Sequence, residues 1–422
     1  MNTTALQQPD LSTLLQEDGV KFDFAGGRKG KFISIGGADR PITDFLNFVF
    51  LYAADIKASD VHFSDVENGC AVRLRHRNMK LKRYWLFTRD AAENIRRKIC
   101  AMCNVAVTDS ESIQQGSFFV LDEVAQKMID IRVDMIPTKF GFNIVCRILD
   151  QSNSGRDLDT VYMPSDVRNA VLETLNKPQG MVIVSGPTGS GKTSTLYSFL
   201  NYLNTDDRHI ITAEDPVEYR LPGANQVNIH RNFRTFGEVL RSFLRQDPDI
   251  ILVGEIRDTE TAETAATAAN TGHLLLSTIH ANDALSTVIR LTQLGVERFA
   301  LADALTAFFA QRLLNKLCPK CRKESRLPET EQGKTRFFAD KYFVKGDGCE
   351  ECHHTGLSGR IPVMEFAVNT KEVRQAILTH DFSLLEQAML AQPQYKTLIE
   401  AGLLMSEQGL VDMQDALSLG VR

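Results

Sequence analysis

Four short apolar runs in the second half of the chain alternate with stretches of helical spacing. Runs of four to six apolar residues separated by helices are typical of parallel strands that carry helices on both faces of their sheet. The pattern therefore predicts an α/β domain over 161–422, with helices alone over 370–422. The four predicted strands are MVIVSG (181–186), HIITAED (209–215), IILVGE (250–255) and LLLSTIH (274–280).

Residues 41–150 follow a different pattern, in which apolar and polar positions alternate as they do in antiparallel strands. Two segments with helical spacing, 43–56 and 89–105, accompany these strands, so an α+β domain is predicted. Residues 151–160 have the composition of a linker, and 1–40 are predicted to be a short N-terminal segment with a helix at Leu11–Leu15 and a hairpin. The predicted strands are VHFSDV, CAVRLRHR, KLKRYWLF, MIDIRVDMIPT and GFNIVCRIL.

Composition narrows the class of protein. The 422 residues suffice for two or three domains, and 24% of them are charged, as in ordinary globular proteins. The net charge of −5 argues against a general nucleic-acid binder. No run approaches the ~18 apolar residues of a membrane span, and the N-terminus lacks a secretory signal. A cytoplasmic protein is predicted.

The sharpest motif is GPTGSGKT, which follows a predicted strand and opens a predicted helix. Its glycines let backbone N–H groups cradle phosphates, Lys192 reaches the terminal phosphates, and the Thr193 hydroxyl binds magnesium. The alternative, a plain glycine turn, does not explain Lys192 and Thr193. The predicted nucleotide-binding residues are Gly186, Pro187, Thr188, Gly189, Ser190, Gly191, Lys192, Thr193 and Ser194.

Two other predicted strands end in carboxylates, Glu214 and Glu255. Ligands bind at the carboxyl ends of parallel strands, and hydrolysis needs one group for Mg²⁺ and one for the attacking water. Gly254 stands where a magnesium aspartate is usual, so Glu255 is predicted to take over the metal. The alternative is a simple ion pair of Glu255 with Arg257 or Arg245.

Two histidines flank the last of these strands. His280 ends it at the edge where the phosphate loop is expected, and an imidazole there could sense the terminal phosphate or position water. His273 begins the strand. Both are candidate catalytic residues, His280 the stronger.

The eight cysteines fall into two groups. CPKC and CEEC place Cys318, Cys321, Cys349 and Cys352 in two pairs, and two such pairs complete a tetrahedral, structural zinc site. Disulfides and free thiols are the alternatives. The scattered group is predicted to stay as thiols in or near cores: Cys70, Cys100, Cys103 and Cys146.

Four long segments resemble the type II secretion and type IV pilus-assembly ATPases: ITAEDPVEY, LRQDPDIILVGEIRDTETA, TGHLLLSTIHAND and QRLLNKLCPKC. The resemblance implies a RecA-like P-loop motor domain, preceded by a PAS-like domain and carrying a tetracysteine zinc module at 313–362. It also implies ATP and magnesium, a homo-hexamer, and an inner-membrane platform protein as partner at the cytoplasmic face of the membrane. Glu214 and Glu255 carry the acidic roles, and the choice of general base between them stays open.

The resemblance adds four arginines. Arg132 and Arg147 match arginines of the PAS-like domain that reach toward nucleotide on their own or a neighbouring motor domain, and Arg241 and Arg245 match motor-domain arginines near the phosphates. Guanidinium groups neutralise charge on the transferred phosphoryl group. The alternative for each one is a surface salt bridge.

The tetracysteine module favours an assembly motor, because retraction motors of the family generally lack it. Retraction is the runner-up. A DNA-uptake or conjugative-transfer motor rests only on the basic positions Arg73, Arg75 and Arg77, for which a solvated strand face is the better interpretation. A catalytically silent scaffold conflicts with the full set of phosphate-loop and acidic residues.

Overall fold

A computed structural model describes residues 21–24, 28–31, 39–56, 58–67, 69–76, 81–106, 112–122, 127–149, 157–229, 234–336, 339–352 and 354–420. The chain divides into two compact units, Met1–Ser152 and Asn153–Arg422, and each is described by itself. Three predictions lie outside the described residues: the helix at Leu11–Leu15, the basic position Arg77 and linker residues 151–156.

The first unit contains a six-stranded, fully antiparallel sheet in the order β5-β4-β3-β8-β7-β6. Helices α1 (Asp39–Asp55) and α2 (Arg89–Cys103) pack on it through a common apolar core. A separate hairpin joins β1 (Lys21–Phe24) to β2 (Arg28–Lys31). The sheet strands are β3 (Ala58–Val66), β4 (Gly69–His76), β5 (Lys82–Phe87), β6 (Gln114–Asp122), β7 (Lys127–Thr138) and β8 (Gly141–Leu149).

Buried and more exposed positions alternate strictly along β7 and β8, so one face of this sheet is buried. Residues Ile131, Val133 and Met135 of β7 are buried, and the residues between them point away from the helices. The four scattered cysteines are buried in the same unit, where burial raises the pKa of the thiols and keeps them protonated. The prediction for these cysteines is confirmed.

The second unit is built on a seven-stranded sheet in the order β11-β10-β12-β13-β9-β14-β17. All neighbours are parallel except the antiparallel pair of β14 and β17. The predicted α/β fold with a parallel sheet is confirmed. The strands are β9 (Gly180–Ser185), β10 (Ile210–Glu214), β11 (Asn225–Asn228), β12 (Ile250–Val253), β13 (Leu274–Ile279), β14 (Leu305–Leu317) and β17 (Leu357–Val368).

Helices cover both faces of this sheet, and its central strands are therefore buried on each side. Met181 and Ile183 of β9 face one core, and Val182 and Val184 face the other. The helices are α3 (Ser165–Leu175), α4 (Lys192–Leu203), α5 (Phe236–Phe243), α6 (Thr259–Asn270), α7 (Ala284–Gln293), α8 (Arg298–Ala304), α9 (Lys371–Thr379), α10 (Phe382–Leu390), α11 (Leu398–Glu407) and α12 (Met413–Ser418).

The segment between β14 and β17 forms a small excursion with its own antiparallel pair, β15 (Lys323–Ser325) and β16 (Tyr342–Val344). Arg336 fastens it to the C-terminal helices by donating to both carboxylate oxygens of buried Glu400, at 2.7 and 2.9 Å. Among the described residues, no helix is long and apolar enough to cross a membrane.

Candidate nucleotide site

The phosphate loop runs from the end of β9 to the start of α4. Gly186 has a φ of +149°, and a Cβ there would lie 2.5 Å from the backbone oxygen of Gln311, so only glycine fits. Gly189 and Gly191 also have positive φ, at 82° and 85°. A Cβ on Gly189 would meet no atom within 4 Å. The loop therefore presents backbone to an open cradle, as phosphate binding requires.

The side chain of Gln311, on β14, holds this loop in place through hydrogen bonds. Its side-chain amide donates to the backbone oxygen of Ser190 at 2.8 Å and its carbonyl accepts from the Thr195 hydroxyl at 2.8 Å. The Ser190 hydroxyl is buried and makes no hydrogen bond within the described part of the chain. Such a group needs a partner, and a bound phosphate supplies acceptors.

Lys192, the first residue of α4, folds back over the loop. Its ammonium donates to the backbone oxygens of Gly186 at 2.8 Å and Pro187 at 3.0 Å. Burial lowers the pKa of Lys192, Glu255 opposes that shift, and Arg312 adds to it. The lysine is held by weak neutral acceptors that phosphate oxygens can replace.

A cleft of about 260 Å³ opens above the loop. It brings together the phosphate loop, both predicted acids and His280. Its lining comprises Thr188, Gly189, Lys192, Thr193, Leu196, Tyr197, Glu214, Asp215, Pro216, Glu218, Phe236, Leu252, Gly254, Glu255, Arg257, Thr278 and His280.

Glu214 ends β10, is only 4% exposed and is surrounded by hydroxyl and amide donors. The Tyr197 hydroxyl lies 2.9 and 3.0 Å from its two carboxylate oxygens, and the Thr212 hydroxyl donates to Oε1 at 2.6 Å. The amide of Gln226 lies 3.5 Å from Oε1. Burial raises the pKa of Glu214, although these donors oppose the shift. A carboxylate with a raised pKa is the better proton acceptor.

Glu255 follows β12 and has charged neighbours. It forms an ion pair with Arg257, and its Oε2 lies 3.7 Å from Nε2 of His280. Its charge also acts on Lys192. The ion pair offered above as an alternative for Glu255 is present, but it lies inside the cleft rather than away from it.

Gly254 explains why the usual aspartate is missing from this strand end. Its N–H donates to the backbone oxygen of Ala213 at 2.8 Å, and a Cβ would lie 3.3 Å from that oxygen and 3.4 Å from Cα of Glu214. The two strand ends approach so closely that a side chain at 254 would be crowded. Glu255 is then the first position from which a carboxylate can reach the cleft.

Three further candidates lie away from the cleft lining. His273 precedes β13, at the opposite end of that strand from His280 and about 23 Å away by the rise of the strand. Its Nδ1 lies 3.0 Å from the backbone oxygen of Ala268. Arg241 pairs with Glu260, and Arg245 donates to the backbone oxygen of Arg241. Roles for His273, Arg241 and Arg245 in catalysis stay predictions.

Arg132 and Arg147 lie directly opposite each other on β7 and β8 of the first unit. They point to the side of the sheet away from the helices, where a hollow of about 270 Å³ opens between them. The Nε of Arg147 lies 3.1 Å from Oδ1 of Asp60, in a half-exposed pair. Paired guanidinium groups fit an anion, but their role toward nucleotide also stays a prediction.

The four cysteines of the predicted zinc module converge, with all four sulfur atoms within 4.8 Å of one another. Sγ distances of 3.7 Å (Cys318–Cys349) and 3.9 Å (Cys321–Cys352) far exceed a disulfide bond and match the ~3.8 Å edge of a tetrahedron with ~2.3 Å metal–sulfur bonds. The backbone N–H groups of Cys349 and Gly356 lower the pKa of Cys352 to about 6, which favours the thiolate. The disulfide alternative is wrong.

Several cleft and loop residues are absent from the predicted site. Tyr197 and Arg257 line the cleft, and Gln311 and Gln226 fix its elements. The position of Tyr197, one helical turn after Thr193, is the only signal in the sequence that could have indicated it. The two glutamines are brought in by tertiary contacts that no local pattern shows.

Comparison with known proteins decides the family. A sequence model of the family described as "Type II/IV secretion system protein" matches residues 37–418. The chain belongs to this family. Family members are ATPases, so the predicted ATPase activity and the resemblance stated above are confirmed.

Two relatives illustrate the likeness. The type IV pilus assembly ATPase PilB of Pseudomonas aeruginosa is 38% identical over 382 residues, which cover 89% of this chain and 67% of the relative. The type II secretion system protein E of Aeromonas hydrophila is 37% identical over 344 residues, covering 80% and 68%. The chain thus spans about two thirds of the length of these relatives.

The fold also matches a solved structure, the pilus retraction motor PilT with bound ADP. The TM-score is 0.67 at 24% identity, and the match covers 89% of this chain and 97% of PilT. At this identity the likeness concerns the fold alone.

Proposed function

We propose that this chain is the ATP-hydrolysing motor for assembly of a type IV pilus or of a type II secretion pseudopilus. The observation that carries the proposal is the cleft in which the phosphate loop, Glu214 and Glu255 meet. Its relatives named for pilus assembly and type II secretion supply the process. The converging cysteines favour assembly over retraction.

The loop residues bind the substrate. Backbone N–H groups of the loop and the dipole of α4 hold the phosphates of ATP, and Lys192 turns from the loop carbonyls to the terminal phosphates. Thr193 and Glu255 would hold a magnesium ion. A magnesium ion, when bound, neutralises charge on the phosphates.

The two glutamates divide the chemistry. Glu214 takes a proton from the attacking water, whose oxygen bonds to the γ-phosphorus. The bond from that phosphorus to the bridging oxygen breaks, and its electron pair leaves with ADP. Glu214 suits this role because burial raises its pKa. Glu255 lies beside Lys192, His280 and Arg257, and it is suited to be the magnesium ligand.

The remaining parts of the proposal concern assembly. The motor is a homo-hexamer at the cytoplasmic face of the inner membrane and acts on a platform protein there. Arg132 and Arg147 approach the nucleotide of their own or a neighbouring motor unit. The four cysteines would hold a structural zinc ion, because their four sulfur atoms lie within 4.8 Å of one another and supply the donor set of a tetrahedral zinc site.

The experiment removes the lysine. Lys192→Ala is expected to abolish ATP turnover, and to leave the far-UV circular dichroism spectrum, zinc content and oligomer mass unchanged. Lys177→Ala, an exposed lysine of the same unit, is the matched control and should keep wild-type turnover. Turnover by the Lys192 variant at the wild-type rate would refute the site.

A second experiment tests the process. In the source cell, deletion of the gene should abolish surface pili or secretion of the exported substrate. The wild-type chain and the Lys177 variant should restore it, and the Lys192 variant should not. Assembly that continues without the chain would refute the proposed process while leaving the ATPase intact. Native mass spectrometry with ATP analogue and magnesium checks for a mass of six chains.

A further inference from the structure

Tyr197 is a buried hydroxyl in the wall of the nucleotide cleft that the chemistry above does not use. It lies on α4, one turn beyond Thr193, and is 2% exposed. Its ring meets that of Tyr219 edge to face, at 5.3 Å between centroids. Three polar groups surround its oxygen, which is more than packing of an aromatic ring requires.

The proton of the Tyr197 hydroxyl has two possible acceptors, the carboxylate of Glu214 and the backbone oxygen of Tyr219. The amide of Gln226 donates to the Tyr197 oxygen at 2.9 Å and to the backbone oxygen of Tyr219 at 2.9 Å. The Tyr197 hydroxyl carries one proton, and it can donate either to the carboxylate of Glu214 or to the backbone oxygen of Tyr219 at 2.8 Å.

The choice between these acceptors depends on the charge of Glu214. When Glu214 is ionised, its carboxylate is the stronger acceptor and takes the bond from Tyr197. When Glu214 has gained a proton, that proton can donate to the Tyr197 oxygen, while the tyrosine turns its own proton to Tyr219. Gln226 keeps donating in both arrangements, so every polar atom stays paired.

We propose that Tyr197 is a positioning residue that holds Glu214 in place both before and after it accepts the proton of the attacking water. The inference rests on the proposed role of Glu214 as the base. Since Tyr197 and Lys192 belong to the same helix, the tyrosine also ties the base to the phosphate loop in a fixed geometry. Tyr197 itself touches no phosphate in this arrangement.

Tyr197→Phe tests the proposal, because it removes the hydroxyl and keeps the ring. We expect kcat for ATP to fall about 10- to 100-fold, the loss typical of a buried hydrogen bond to a charged group, while KM stays within about twofold. Tyr202→Phe is the control: it lies on the same helix, is 40% exposed, and its hydroxyl accepts only from Asn176 among the described residues, so kcat should not change. A kcat within about twofold of wild type for Tyr197→Phe would overturn the proposal, as would a rise in KM alone.

A double variant separates this proposal from the proposed function. Tyr197→Phe combined with Glu214→Gln should be no slower than Glu214→Gln by itself, because the tyrosine acts through the glutamate. A further loss in the double variant would show that Tyr197 acts elsewhere and overturn the inference. Full turnover by Glu214→Gln would instead remove the base assignment, and the inference with it, while the Lys192 result would still report on the ATPase.

Discussion

The ends of β10 and β12 lie side by side in the sheet and carry the same type of residue, yet their surroundings are opposite. Glu214 is buried among hydroxyl and amide donors, with Tyr197 and Thr212 closest. Glu255 is partly exposed beside Arg257 and His280. Sequence alone gives two glutamates after two apolar strands and no way to rank them.

We infer from this difference that the two carboxylates take different roles, each set by its neighbours. Burial raises the pKa of Glu214 although its hydroxyl and amide donors oppose the shift, and the charge of Glu218 adds to it, so Glu214 is suited to accept a proton. Glu255 lies instead beside the guanidinium group of Arg257 in the cleft, and we propose that it serves as a magnesium ligand there. The following predictions separate the two glutamates, from the largest expected effect to the smallest.

Glu214→Gln should have the largest effect. The amide keeps the size of the side chain but cannot accept a proton, so kcat should fall about 10²- to 10⁴-fold. Binding of magnesium and ATP, measured by isothermal titration calorimetry, should stay within about threefold. A large loss of binding with kcat preserved would exchange the roles of the two glutamates.

Glu255→Gln should act on the metal instead. The magnesium concentration for half-maximal turnover should rise about 10- to 100-fold, as when an outer ligand of a metal site is removed, and saturating magnesium should restore most of kcat. If magnesium does not restore turnover, Glu255 takes part in the proton transfer. Glu297→Gln, an exposed glutamate of the same unit, is the matched control.

The dependence of kcat on pH gives a third comparison. The base must be ionised, and burial raises the pKa of Glu214, so activity should be present above that raised pKa and be lost as the pH falls through it. The acid limb should therefore lie above the ordinary glutamate pKa of about 4.3. Glu255→Gln should keep this limb at saturating magnesium; its loss in that variant would assign the limb to Glu255.

Arg257→Ala should have the smallest effect. Its ion pair with Glu255 is about half exposed on the arginine side, at 49%, and such pairs contribute at most about 1 kcal/mol. We expect kcat to fall less than about fivefold, with Arg298→Ala, an exposed arginine on α8, unchanged. A much larger loss in steady-state turnover would mean that Arg257 acts on the nucleotide itself.

The parallel strands and the phosphate loop of the second unit could be predicted because each produces a local pattern in the sequence. Strands β9, β10, β12 and β13 are continuous apolar runs, and the phosphate loop is a local motif between a strand and a helix. Strands β6, β11, β14 and β17 were not predicted. In β6, Phe119 and Leu121 are exposed, so the alternation that marks a half-buried strand is missing.

The site was predicted in part, and the limit is physical. Glu214, Glu255 and His280 follow predicted strands, so their meeting follows from the rule for parallel sheets. Gln226 and Gln311 come from elements distant along the chain, and their hydrogen bonds depend on tertiary packing. The same limit applies to Tyr197, whose partners lie 17 to 29 residues away.

Strand β14 has a mechanical consequence. Near the middle of the strand, Gln311 is hydrogen-bonded to the phosphate loop. Just beyond the end of the strand, Cys318 belongs to the cysteine cluster, about 23 Å farther along by the rise of a strand. The strand is buried from Leu305 to Gln311 and paired along its length with β17. Since a close-packed interior transmits strain, we expect a displacement of the phosphate loop to be passed along β14 to the cysteine cluster.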